Sequence, residues 1–265
     1  MKTVINNSAI NYTDQGNGDT LILLHGFTES LSIWDSFAKE LSKYFRVICI
    51  DLPGHGNSKS VSNIHPMELM ADIVKSLLDK LSVKKCVIVG HSMGGYVSLA
   101  FARKYSNILQ GLGLLHSTAH ADNEAAKEAR MRAIEIIKDD HHKFLSSFIP
   151  TLFAPGNENI FNKEMDNLLV EAKKMEKEAI IAAQLGMKSR ADSKDILANA
   201  DHPLMFITGH KDSRIAIDDI QAQAKLCKTA YCLLLKNSGH MGFIEEKQRT
   251  LHFLKSFTTA CYLEK

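Results

Sequence analysis

The segment Gly90-His91-Ser92-Met93-Gly94-Gly95 decides the fold, because it lies between the short apolar run 86–89 and a long helical pattern. A serine in a G-x-S-x-G segment of this kind occupies a sharp strand-to-helix turn with a strained backbone conformation. Glycines at positions 90 and 94 remove the side chains that would clash across the turn. The sequence therefore predicts a strand, a tight turn and a helix, with the Ser92 hydroxyl projecting above a sheet.

Short apolar runs recur on both sides of this segment and predict the other strands. Runs without polar alternation are typical of strands buried on both faces of a parallel sheet. Helical patterns separate them, as in residues 70–81, where apolar side chains recur at spacings of three and four. We therefore expect an α/β fold with a mostly parallel sheet flanked by helices, and an antiparallel hairpin at one edge from residues 3–5 and 9–12. The predicted buried strands are residues 21–24, 47–50, 86–89, 112–115, 204–207 and 231–235.

The alternation of strands and helices stops after about residue 116 and resumes near residue 201. The intervening stretch has helical patterns at 125–137, 142–149 and 164–185, with Pro150, Pro155 and Gly156 between them. We expect two parts: a core formed by residues 1–116 and 201–265, and a helical cap or lid formed by residues 117–200.

The composition narrows the possible classes of protein. Of the 265 residues, 45% are hydrophobic and 23% are charged, and the net charge is +2. This balance excludes a disordered chain and gives no electrostatic reason to expect nucleic acid or an anionic membrane as partner. No apolar stretch approaches the length of a membrane span. The 5 cysteines lack metal-site or redox-motif spacing, which favours a reducing compartment, and we expect a cytoplasmic protein.

Ser92 is the candidate nucleophile, and two backbone groups near it are candidates for an oxyanion hole. The N-terminus of the helix that follows Ser92 favours negative charge, so the Met93 N–H is one candidate donor. The pair His25-Gly26 follows the first buried strand directly. In this strand–turn–helix architecture the next residue supplies the second N–H donor, which indicates Phe27.

A base and an acid complete the candidate set. His240 follows the last buried strand, and Asp212 follows the strand before it. Loops at the carboxyl ends of parallel strands are where open α/β sheets place their ligands. The chain order is Ser92, Asp212, His240, the order in which such sheets arrange a nucleophile, an acid that orients the base, and the base.

These motifs, together with the segment Asp51-Leu52-Pro53-Gly54-His55-Gly56-Asn57-Ser58, resemble the α/β-hydrolase fold family over essentially the whole chain. The resemblance implies a core sheet of about eight strands with a helical cap after the sixth. It implies acyl-enzyme chemistry without a cofactor or a metal. It also implies that residues 51–58 form a structural turn near the site rather than part of the catalytic set.

The resulting hypothesis is a serine hydrolase that acts on ester bonds in the manner of a carboxylesterase. It would cleave a small carboxylic ester, lactone or thioester through an acyl-enzyme at Ser92, and we expect a monomer or homodimer. Three alternatives stay open: a small-ligand receptor on the same fold, a menaquinone-pathway synthase, and a hydrolase of carbon–carbon bonds. The last two resemblances are weakened by Tyr96 and Met241, which stand where those enzymes usually carry Arg and Trp.

Substrate-contacting residues are harder to read from sequence. Polar residues at strand or loop ends and aromatic residues near the motifs are the candidates, and ordinary packing explains each of them equally well. Arg130 and Arg132 have the chemistry to bind a carboxylate, although a helix-surface position is the simpler interpretation. The candidate substrate-binding residues are Thr28, Trp34, His116 and Phe243.

Overall fold

The computed structural model describes residues 1–5 and 8–263. Within them, 8 strands form one sheet in the order β1-β2-β4-β3-β5-β6-β7-β8. Strands β3 to β8 are mutually parallel, and β1 and β2 pair antiparallel at one edge. The strands are β1 Lys2–Ile5, β2 Ser8–Gln15, β3 Thr20–Leu24, β4 Arg46–Ile50, β5 Cys86–His91, β6 Leu109–Leu115, β7 Leu204–Gly209 and β8 Ala230–Leu235. The predicted α/β fold and edge hairpin are confirmed, while Asn6 and Asn7 of the predicted turn lie outside the described residues.

Helices cover both faces of the sheet because successive side chains of a strand point to opposite sides. On β3, Ile22 and Leu24 pack in one hydrophobic cluster with the helices at 67–80 and 93–105, whereas Leu21 and Leu23 pack in another with the helices at 35–41 and 247–263. None of the helices in the described ranges is long and apolar enough to cross a membrane. The helices are α1 Asp35–Leu41, α2 Met67–Lys80, α3 Met93–Tyr105, α4 Glu124–Phe148, α5 Asn162–Ala172, α6 Lys177–Ser189, α7 Lys194–Asn199, α8 Ile217–Ala224, α9 Gly242–Glu245 and α10 Lys247–Leu263.

The insert between β6 and β7 is helical as expected, but its helices differ from the predicted segments. The patterns 125–137 and 142–149 belong to one kinked helix, α4, whose only non-helical backbone lies at Asp140 (φ −149°, ψ 95°). The Asp140 carboxylate accepts a hydrogen bond from the Lys143 N–H at 2.9 Å, so it caps the second half of the helix. The predicted helix 164–185 is wrong, because it is divided into α5 and α6 by a turn at residues 173–176.

Strand β8 also departs from the expectation of burial on both faces. Its residues alternate between exposed and half-buried until Leu235, which is fully buried. The reason is its position, since β8 is the last strand of the sheet and has a neighbour on one side only.

The register brings the carboxyl ends of the central strands to one edge of the sheet. Leu24 pairs with Gly90, His91 with Leu115, and Gly209 with Leu235. The loops that follow β3, β5, β6, β7 and β8 therefore meet, although they are far apart along the chain.

Candidate active site

The turn after β5 holds Ser92 in a left-handed backbone conformation, with φ 49° and ψ −114°. A Cβ atom at Gly90 would collide with the backbone of Gly94, and one at Gly94 would lie 2.6 Å from the carbonyl oxygens of Leu24 and His25. Only glycine fits at either position, so the two glycines permit the close approach of strand, turn and helix. The Ser92 N–H donates to the Leu115 carbonyl at 2.9 Å, which ties the turn to β6.

The loops after β7 and β8 bring Asp212 and His240 together. Asp212 Oδ2 lies 2.9 Å from His240 Nδ1, and both side chains are almost fully buried. The other carboxylate oxygen accepts backbone N–H groups of Arg214 at 2.8 Å and Ile215 at 3.2 Å. These bonds leave His240 Nε2 as the ring nitrogen available to a reacting group.

The His240 main chain is anchored on both sides. Its N–H donates to the Leu152 carbonyl at 2.7 Å, and its carbonyl oxygen lies 3.0 Å from His91 Nε2. The ring therefore rests on a loop that is fixed both to the helical insert and to the turn that carries Ser92.

A cavity of about 520 Å³ opens where these loops meet. Ser92 and His240 both line it, so the structure brings the candidate nucleophile and base to one space. The hydrogen bonds of the described residues do not include one between Ser92 and His240. In enzymes without substrate this bond is often long, and it tightens when the substrate binds.

Two backbone N–H groups are candidates for oxyanion donors. Phe27 lines the cavity, and Met93 is the first residue of α3, directly after Ser92. Within residues 1–5 and 8–263, neither N–H donates a hydrogen bond to the protein. Both donors are therefore available to a ligand atom.

Comparison with known proteins identifies the fold of the chain. A family model described as alpha/beta hydrolase fold matches residues 19–247. The chain belongs to the alpha/beta hydrolase fold family. A thermophilic esterase from Thermogutta terrifontis, solved with malate bound, superposes on this hydrolase with a TM-score of 0.92 at 30% identity, over 98% of this chain and 97% of that one.

Other relatives agree with this assignment. The pimeloyl-[acyl-carrier protein] methyl ester esterase of Vibrio vulnificus is 27% identical over 94% of this chain and 97% of its own length. The enol-lactonase from Burkholderia xenovorans LB400 shares the fold, with a TM-score of 0.91 at 20% identity over 98% of this chain and 100% of that one. The prediction of an enzyme of the hydrolase class is confirmed.

The four candidate substrate-binding residues are not among the residues that line the cavity of this hydrolase, within the part of the chain that is described. Trp34 is fully buried and packs against Phe243, with ring centroids 5.3 Å apart. The Thr28 hydroxyl donates to the Phe27 carbonyl at 2.6 Å and is buried as well. Packing and local hydrogen bonds account for these side chains, so we do not carry them into the proposed site.

His116, the fourth of these candidates, lies behind the site and contacts the acid. Its Nδ1 is 3.0 Å from Asp212 Oδ2, and its Nε2 accepts the Gly242 N–H at 3.2 Å. Burial lowers the pKa of His116 to about 4, because the hydrogen bond to Asp212 only partly offsets the loss of solvent. The ring is therefore neutral at pH 7, and it donates from Nδ1.

Asp212 thus serves two imidazole rings through one oxygen atom. Burial alone would raise its pKa, but the charge of His240 and the hydrogen bonds from His116 and His240 lower it well below the usual range. The carboxylate is therefore ionised at neutral pH. The same three side chains have ligand atoms within 4.8 Å of one another. A metal ion there would have to displace both hydrogen bonds of Asp212.

The family motif at residues 51–58 has a structural role in this hydrolase. Asp51 Oδ1 accepts the Leu31 N–H at 2.7 Å, and Oδ2 accepts the Asn57 N–H at 2.8 Å. His25 Nε2 accepts the Leu52 N–H at 2.9 Å. These bonds hold the loop after β4 against the loop that carries Phe27.

A buried pair of Glu29 and His91 was missed by the sequence analysis. Glu29 Oε2 lies 3.0 Å from His91 Nδ1 and accepts the Gly26 N–H at 2.5 Å. Since both ring nitrogens of His91 face oxygen acceptors, the doubly protonated ring satisfies both contacts. Burial lowers the pKa of His91, but the charge of Glu29, the hydrogen bonds to Glu29 and to the His240 carbonyl, and the charge of Asp212 together outweigh it, so the net shift is upward. Burial raises the pKa of Glu29, but the charge of His91, the hydrogen bonds from His91 and Gly26 and the charge of His25 together make the net shift downward.

Glu29→Gln is expected to lower the free energy of unfolding by about 3 kcal/mol, because it leaves a buried cation without its partner. Ionised Glu29 stabilises the fold fully at pH values above its ordinary pKa of 4.5. Protonated His91 does so fully at pH values below its ordinary pKa of 6.5. The loss is therefore largest between these two values, and it shrinks as the pH rises through the raised pKa of His91. Urea unfolding of wild type and variant measures the loss at about pH 5.5, where it should be large, and at about pH 9, where it should be smaller.

The matched control is Glu40→Gln, which removes one side of the exposed Lys43–Glu40 pair and is expected to have little effect. A loss for Glu29→Gln that is equal at both pH values would show that Glu29 acts only as a neutral hydrogen-bond acceptor.

Proposed function

We propose that this hydrolase cleaves a carboxylic ester, lactone or thioester through an acyl-enzyme at Ser92. The observation that carries the proposal is the Asp212–His240 bond of 2.9 Å, with His240 and Ser92 on the wall of one cavity. A serine hydroxyl is a weak nucleophile unless a base removes its proton, and this arrangement supplies that base.

The first step is acylation. His240 Nε2 takes the Ser92 proton as the oxygen attacks the carbonyl carbon, and the Phe27 and Met93 N–H groups stabilise the resulting oxyanion. Asp212 holds the protonated ring in place through Nδ1, and the ring then gives its proton to the departing alcohol or thiol. Water repeats the sequence on the acyl group and regenerates Ser92.

The cap is proposed as the part that selects the substrate. Helices α4 and α6 supply cavity-lining residues such as Ala126, Phe148 and Gln184, while the core loops supply the reacting groups. We therefore propose that residues 117–200 form a lid over a core of residues 1–116 and 201–265. A cavity of about 520 Å³ suits a small acyl substrate.

The relatives support acyl chemistry. Two proteins that align over nearly their whole length are named as esterases, one of them with a methyl ester as substrate. An enol-lactonase shares this fold, which supports counting lactones among the proposed substrates.

The test is a panel of p-nitrophenyl esters of increasing acyl length, with lactones and acyl-CoA thioesters in parallel. We expect repeated turnover on at least one member, with a burst of one product equivalent where deacylation is slow. A single slow turnover accompanied by a shift in thermal stability would instead indicate a ligand receptor, and would contradict the proposal.

A further inference from the structure

The cavity wall carries three arginines, Arg130, Arg190 and Arg214, and three carboxylates, Glu29, Asp122 and Asp219. Arg130 and Arg190 share one carboxylate: Arg130 Nε donates to Asp122 Oδ2 at 2.5 Å, and Arg190 Nη1 lies 2.7 Å from Asp122 Oδ1. Arg130 also donates to Gln184 at 2.9 Å, and the Arg190 guanidinium stacks 4.0 Å above the Tyr96 ring. Both guanidinium groups are thus held by the protein itself.

Arg214 lines the same cavity, but the contacts of its guanidinium differ from those of Arg130 and Arg190. Its Nη2 donates to the Thr151 hydroxyl at 2.8 Å, and its guanidinium lies 4.6 Å from the centroid of the Phe148 ring. Among the described residues it makes no ion pair with a carboxylate, so most of its N–H donors are not used by the protein. Partial loss of solvent around the guanidinium lowers the pKa of Arg214, and the nearby Asp212 charge does not offset this effect, although the residue as a whole is exposed. A guanidinium nevertheless stays charged in proteins.

The remaining acids of the wall do not neutralise Arg214. Glu29 is balanced by His91, at 3.0 Å. Asp219 lines the cavity, but it forms no ion pair with Arg214 within residues 1–5 and 8–263. The cavity therefore offers the Arg214 guanidinium as a solvent-accessible cation that forms no ion pair with a carboxylate among the described residues.

Arg214 belongs to the same loop as Asp212 and lines the same cavity as the reacting groups. Its backbone N–H donates to Asp212 Oδ1 at 2.8 Å, so the loop that orients His240 also positions the guanidinium. Ser92, His240 and Arg214 all line the one cavity. A substrate bound at Ser92 can extend to Arg214 without leaving the cavity.

We propose that Arg214 binds a carboxylate of the substrate, so that the enzyme prefers acyl groups that carry a second, ionised carboxyl group at their far end. This inference rests on the proposed function, since it names the class of ester, lactone or thioester that the site accepts. A planar guanidinium matches a carboxylate in a bidentate arrangement, which gives direction as well as affinity.

The test compares p-nitrophenyl monoesters of succinic, glutaric and adipic acid with p-nitrophenyl butanoate, pentanoate and hexanoate. The leaving group is the same, and only the charge at the end of the acyl chain changes. For wild-type enzyme we expect kcat/KM to favour the acidic ester. In Arg214→Gln the ratio of acidic to neutral kcat/KM falls about 10- to 100-fold, mainly through KM, and Arg214→Lys restores part of it.

The matched control is Arg132→Gln, an exposed arginine of α4 that pairs with Glu128 and does not line the cavity, and it leaves the ratio unchanged. Competitive inhibition of neutral ester hydrolysis by glutarate or adipate gives a second readout, with Ki expected to rise about 10- to 100-fold in Arg214→Gln.

The outcomes separate the two proposals. If wild-type enzyme turns over neither these esters nor any ester, lactone or thioester of the panel above, the proposed function fails. If it hydrolyses the neutral esters but shows neither a preference for the acidic ones nor inhibition by the dicarboxylates that depends on Arg214, the function stands and the carboxylate site is overturned.

Discussion

Ser92→Ala is expected to lower kcat/KM for ester hydrolysis by about 10⁴- to 10⁶-fold while the protein stays folded. The alanine removes the oxygen that would form the acyl-enzyme, so only the oxyanion donors and substrate binding remain. The fold tolerates the change because the hydrogen bonds at position 92 use the backbone: its N–H donates to Leu115, and its carbonyl accepts the Ser117 hydroxyl at 2.8 Å. Steady-state kinetics and thermal unfolding measure the two effects.

The matched control for this substitution is Ser213→Ala, since Ser213 is a second serine on the wall of the same cavity. It is expected to change kcat/KM by less than about tenfold, because no step of the mechanism uses its hydroxyl. Comparable losses in the two variants would mean that the cavity, rather than the Ser92 oxygen, limits the rate.

Asp212→Asn is expected to lower kcat/KM by about 10⁴-fold. One oxygen of the Asp212 carboxylate accepts hydrogen bonds from Nδ1 of both His240 and His116. An asparagine amide has no negatively charged oxygen with which to accept both. His240 then loses the group that fixes its tautomer and stabilises its protonated form. The lowered pKa of Asp212 also stabilises the folded state above pH 3.8, so the variant is less stable at neutral pH.

Asp201→Asn is the control for the acid. Asp201 precedes β7 and pairs with Lys228 on the surface, at 2.6 Å. Its substitution leaves both kinetics and unfolding nearly unchanged. Activity of Asp212→Asn within tenfold of wild type would assign the orienting role to another group.

Local sequence signals were sufficient for the sheet and for the turn at Ser92. Continuous apolar runs predict buried strands because both faces of a parallel sheet are covered, and the glycines at 90 and 94 predict the tight turn because no other residue fits there. Position in the sheet is not encoded locally, which is why the burial of β8 at the edge was misjudged.

The features of the site that the sequence did not predict depend on contacts between residues far apart along the chain. Glu29 and His91 are 62 residues apart, and neither has a local pattern that indicates a buried pair. His116 was predicted to face substrate because it follows a strand, whereas the pairing of β6 with β7 places it beside Asp212. Arg214 lies two residues after Asp212, but only the structure shows that it lines the cavity and forms no ion pair with a carboxylate among the described residues.

The central claim is that Ser92 forms the covalent bond with the substrate. The most direct measurement is the mass of the protein after reaction with a p-nitrophenyl dialkyl phosphate, which transfers its phosphoryl group to an activated serine. The account predicts one adduct per chain, located by peptide mapping at Ser92, with loss of activity in proportion, and no adduct in Ser92→Ala. An adduct on another residue, or an unmodified Ser92 in fully inactivated enzyme, would contradict it.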